Sequence, residues 1–113
     1  MPEPRPRRLS KRPSAATSRA LAARRAHMDS LNARLRDLLQ ERARLAVEIA
    51  RWKRDQGLPV ADRAREQEML DRLLARPTRG FDQATLRRLL RTIFAASRRL
   101  AVREAKPRRR SPS

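Results

Sequence analysis

A few polar residues in the middle of this chain stand where apolar ones belong. In the stretch LLQERARLAVEIARWK, residues 38–53, Arg42 takes a position in a heptad that Leu21, Met28, Leu35 and Ile49 otherwise fill. Leu31, Leu38, Leu45 and Trp52 follow three places later. A guanidinium buried there without a partner costs on the order of several kcal/mol, so an anion should meet it. Lys53 lies eleven residues further on, about 20° from the same face and roughly 16 Å along the helix, so the two cations could hold a small dianion between them. Glu66 sits one turn before Met69 and Leu70, on the apolar side of its segment, with Asp62 another turn back. Ser97 follows Ile93 by four residues inside the stripe from Leu86 to Leu100. Three segments thus each turn a polar group inward, which points to a small polar pocket among helices.

Each residue also has a plainer reading. A seam arginine can set register or oligomeric state. Glu66 can be the ion-pair partner of Arg42, Ser97 a tolerated small residue, Asp62 an ordinary helix N-cap, and Lys53 a side chain snorkelling from a helix end.

Other chemistries are poorly supplied. The chain has no cysteine and one histidine, His27, so disulfides, thiolate metal sites, histidine metal sites and serine–histidine relays do not fit. No secretory signal or run of about 20 apolar residues is present, and the cytoplasm is the expected location. The net charge of +18 raises the question of nucleic acid. Much of it lies at the ends: six bases against Glu3 in residues 1–19, and four in residues 106–113. A basic helical nucleic-acid binder would use these ends, but it does not explain inward-facing Arg42, Glu66 and Ser97. Stacking aromatics are nearly absent.

The elements that must position these residues are helices. Prolines at 2, 4, 6, 13, 107 and 112 leave most of the middle free to be helical. The first helix is expected from about residue 19 to 55, roughly 55 Å long, and needs something to pack along, most simply a second copy. Gly57 as C-terminal cap and Pro59 end it, and Asp62 caps the second. That helix should bury Met69, Leu70, Leu73 and Leu74 before Pro77 and Gly80 stop it. Asp82 caps a third, which should bury Leu86, Leu89, Leu90, Ile93, Phe94 and Leu100 and run to about Glu104. The expected organisation is an all-α, three-helix domain over 19–105, between basic disordered tails at 1–18 and 106–113.

The set as a whole resembles the all-helical AroQ class of chorismate mutases over about residues 20–101. The resemblance rests on Arg25, on ERARLAVEI with Arg42, on Lys53, on PVADRAREQE with Asp62, Arg65 and Glu66, and on IFAAS ending in Ser97. It implies an intertwined homodimer of three-helix chains whose first helices pair antiparallel. It also implies a cofactor-free pericyclic conversion of chorismate to prephenate, in the shikimate pathway to aromatic amino acids. Arg42, with Arg25 from the partner chain, would clamp the two carboxylates, and Lys53 would face a carboxylate and the breaking ether oxygen. Glu66 and the backbone around Asp62 would receive the ring hydroxyl, Arg65 would support that loop, and Ser97 would touch the ring carboxylate. The geometry is compatible: Arg25 is seventeen residues from Arg42, about 25 Å along a helix and about 100° around it, out of reach of a ligand shared within one chain.

One position departs from the family. Four residues after the serine the family usually carries a glutamine that donates to the ether oxygen, and here stands Ala101. Loss of one such donor typically costs about 10²- to 10³-fold in rate. A slow mutase, a mutase with its donor supplied elsewhere, for example by Glu104, and a partner-dependent or non-catalytic member all remain open. A shikimate-pathway enzyme is the expected activator. Isochorismate pyruvate-lyase and aminodeoxychorismate mutase share the carboxylate clamp and are the alternatives on the same fold.

Overall fold

The computed structural model describes Pro2 and residues 12–105. Three helices follow in order, α1 (Ala15–Asp55), α2 (Arg63–Leu74) and α3 (Gln83–Glu104), with no strand among the described residues. None of the helices is long and apolar enough to cross a membrane. The chain divides into two compact units, 1–36 and 37–113.

In the first unit every described residue from 12 to 36 is exposed. Leu21, Met28, Leu31 and Leu35 therefore form an uncovered apolar stripe on the N-terminal part of α1. The helix begins at Ala15, four residues earlier than the sequence suggested. The reason is local: Ser14 Oγ accepts from the Thr17 backbone N–H at 3.1 Å and pairs with the Thr17 hydroxyl at 2.8 Å, capping the first turn. The expected tails otherwise fall largely outside the described residues.

The second unit holds the core. The C-terminal end of α1 closes in a double hydrogen-bonded cap. Gly57 adopts φ +70°, its N–H donates to the Arg54 carbonyl at 3.0 Å, and the Leu58 N–H donates to the Lys53 carbonyl at 2.7 Å. Asp62 then caps α2 by accepting from the Arg65 N–H at 2.9 Å, and Asp82 caps α3 by accepting from the Thr85 N–H at 2.8 Å. Gln83 also donates to the Leu74 carbonyl at 2.9 Å, tying the start of α3 to the end of α2.

Two small clusters are buried. Leu70 and Leu74 of α2 meet Phe94 of α3, with Met69, Leu86, Leu90 and Ile93 packed against them. Ala50 of α1 meets Ala101 and Ala105, with Ala46 and Val60 alongside. The second cluster contains only small side chains. Leu73 and Leu89, expected inside, are exposed: where α2 crosses α3, Leu70, Leu74 and Phe94 fill the contact, and these two leucines lie beside it.

Candidate functional site

A cavity of about 560 Å³ opens between the C-terminal part of α1, the start of α2 and the second half of α3. Its size suits a small organic ligand. Arg42, Lys53, Asp62, Arg65, Glu66 and Ser97 all line it, so six of the seven residues singled out in the sequence converge on one place. Arg25 is not among the lining residues; it is exposed on α1 in the first unit.

Arg42 is half-buried, and Nη1 donates to Ser97 Oγ at 2.9 Å. Its guanidinium carbon stands 4.6 Å from the centre of the Phe94 ring, a cation–π contact that orients the planar group and leaves further N–H donors to bond a ligand. The suggested Arg42–Glu66 ion pair is not made. Glu66 instead accepts from Arg98 Nη1 at 2.5 Å through Oε2, so the Arg42 charge has no carboxylate partner among the described residues.

Lys53 is half-buried at the last turn of α1. Its backbone carbonyl accepts from the Leu58 N–H in the turn around Gly57, which fixes the point from which its side chain reaches the cavity. The Asp62 carboxylate is committed to capping α2. Arg65 lies 3.5 Å from Glu68, with both side chains about half exposed, so it belongs to the rim.

Ala101 is buried and forms part of the wall. No side-chain donor therefore projects from the point where a glutamine was expected. Glu104 does not replace it: it lies 4.0 Å from Arg51 and lines a separate groove with Arg44 and Glu48.

Two lining residues were not foreseen, Phe94 and Arg98. Phe94 looked like simple core. Arg98 follows Ser97 directly and reads as outward-facing; the usable signal was the need of a half-buried Glu66 for a counterion. Leu45, Ile49 and Met69 supply apolar surface to the same cavity. The arrangement is therefore a part-apolar chamber with two cations that have no carboxylate partner among the described residues, Arg42 and Lys53, a hydroxyl, and two anchored carboxylates, Glu66 and the capping Asp62. It can bind a compact ligand that carries negative charge and a hydroxyl, and its lining residues form no nucleophile–base pair for covalent chemistry.

Comparison with known proteins places the chain in a family. The model of the family chorismate mutase type II matches residues 24–102. The Form II structure of chorismate mutase from Thermus thermophilus superposes with a TM-score of 0.70 at 40% identity, covering 75% of this chain and 97% of that one. The Form I structure of chorismate mutase from the same organism gives a TM-score of 0.66 at 41% identity, over 69% and 98% of the two chains. Among curated protein sequences no match is found. A family model spanning most of the chain and two solved structures of that fold at such identity lead to one conclusion: the chain belongs to the type II chorismate mutase family.

Proposed function

We propose that this chain is an isomerase that rearranges chorismate to prephenate in the cavity between its three helices. The observation that carries the reading is the convergence of Arg42, Lys53, Glu66 and Ser97 on a single part-apolar chamber. The reaction is pericyclic, so the protein contributes conformational selection and charge placement. Arg42, steadied by Ser97 and Phe94, clamps a carboxylate with its fork of donors. Lys53 faces a carboxylate and the ether oxygen on which negative charge develops. Glu66 accepts the ring hydroxyl, Ser97 meets the ring carboxylate, and Asp62 and Arg65 hold the start of α2.

The active unit in this reading is a homodimer with antiparallel first helices. The uncovered stripe of Leu21, Met28, Leu31 and Leu35 supports it: such a row of apolar side chains needs a matching surface. The second copy would bring Arg25 to the other carboxylate. The enzyme belongs in the cytoplasm. Ala101 favours a chain that is slow alone and gains rate from a shikimate-pathway enzyme. The nucleic-acid reading is not favoured, because Arg42, Glu66 and Ser97 all turn toward one cavity.

The test is chorismate disappearance with purified protein, followed by ultraviolet absorbance, with the products separated. Prephenate is the expected product. Pyruvate with an aromatic acid, or no turnover by folded protein alone and with the pathway enzyme added, would overturn the assignment.

A further inference from the structure

The pairing of Glu66 with Arg98, rather than with Arg42, divides the charges of the cavity into two groups. Arg98 Nη1 and Glu66 Oε2 are 2.5 Å apart, and their side chains are 29% and 22% exposed, well withdrawn from the water that weakens surface ion pairs. The pair neutralises itself at the α2–α3 wall and leaves Arg42 and Lys53 uncompensated for an anionic ligand. A Glu66 turned toward Arg42 would cancel half of that attraction.

The charges on the outer side favour this partner. Arg98 also lines a groove of about 330 Å³ between α2 and α3 together with Arg63 and Arg91, and Glu66 is the sole carboxylate among the described residues that line it. The other acids of α2 are engaged elsewhere: Glu68 with Arg65 and Arg72, and Asp71 with Gln67. Glu66 is thus the one carboxylate that lines the Arg98 groove, and the neighbouring Arg63 and Arg91 add attraction on that side. With Oε2 held, Oε1 of Glu66 is left to accept a hydroxyl.

We propose that Arg98 is a positioning residue: it fixes the Glu66 carboxylate so that one oxygen meets the ring hydroxyl of the substrate while Arg42 and Lys53 stay free for its carboxylates. This rests on the chorismate reading above. A free glutamate side chain must be ordered each time a ligand binds, and anchoring it beforehand removes that cost.

The experiment is a double-mutant cycle on chorismate turnover with Arg98→Met, Glu66→Ala and the double variant, alongside Arg98→Lys, each checked for native helicity. Arg98→Met, which keeps the aliphatic stem, should lose about tenfold in kcat/KM, mostly through KM. Arg98→Lys should recover most of it, and Arg98→Met should cause no further loss once Glu66 is alanine. If Arg98→Met does not fold, Arg98→Gln takes its place in the cycle. Additive losses, or unchanged kinetics in the single variant, would refute the positioning role while leaving the mutase reading intact. A wild-type protein without chorismate turnover would remove both.

Discussion

Replacing Arg42 by alanine removes a guanidinium that donates to Ser97 at 2.9 Å and lies 4.6 Å from the centre of the Phe94 ring. The effect on binding follows from what those contacts prepare. A planar fork held in this way offers two parallel bonds to a carboxylate, each worth about 1.5–3 kcal/mol when charge-assisted. Losing both costs about 3–6 kcal/mol of transition-state stabilisation, or about 10²- to 10⁴-fold in kcat/KM. The effect on folding is much smaller. The Ser97 bond and the cation–π contact are together worth about 2 kcal/mol, and the gain from no longer withdrawing a charge from water opposes that loss. Alanine is also the best helix former. The variant should therefore keep its far-ultraviolet circular dichroism and melt within about 10 °C of the parent, while chorismate turnover falls to a residual level. Arg42→Lys, which keeps the charge but not the fork, should still lose at least about tenfold. A folded Arg42→Ala protein within about threefold of wild-type kcat/KM would refute the clamp, and with it the view that this arginine occupies an apolar seam for the sake of a ligand.

Two further expectations concern single side chains. Ala101→Gln restores a donor to the cavity wall and should raise kcat at least about tenfold. It should also cost about 1–3 kcal/mol in thermal unfolding, because the site packs against Ala50 and Ala105; an unchanged kcat would mean that the ether oxygen already has its donor. The Asp82 carboxyl is held below its ordinary value of 3.8 by hydrogen bonds from the Thr85 side chain and backbone. Its folded form therefore prefers the carboxylate, and its contribution is present above the unfolded value and lost as pH falls through the folded one. The gap in urea midpoint between wild type and Asp82→Ala should be full at pH 6 and shrink below about pH 4, and a gap independent of pH would refute the cap as the source.

What could be read from the sequence was what is local or periodic. The turns around Gly57, Asp62 and Asp82 were legible because a cap is decided within about five residues. Arg42, Lys53, Glu66 and Ser97 were legible because a polar residue on an apolar helical face breaks a period that the neighbouring leucines establish. The Arg98–Glu66 pair was not, since residues 32 positions apart meet only once the packing of α2 on α3 is known. The same holds for Leu73 and Leu89. Nothing in a run of leucines says which one lies at the crossing and which beside it. The early start of α1 was not read either, because the proline- and arginine-rich sequence before Ser14 and Thr17 masks their capping signal.

Phe94 has a consequence of another kind. The same ring closes the contact with Leu70 and Leu74 and lies against the guanidinium of Arg42. Under the proposed role of Arg42, mutational drift in this core is therefore not neutral for chemistry. A lineage that lets Phe94 shrink to leucine, an ordinary exchange in a hydrophobic interior, gives up the face that holds its principal cation. Conversely, a lineage adapting to heat by tightening the α2–α3 contact also tightens the tolerance on that cation. If Arg42 acts as proposed, thermal adaptation and turnover share one side chain, and comparing relatives from hot and temperate habitats at this position would reveal whether they have been traded against each other.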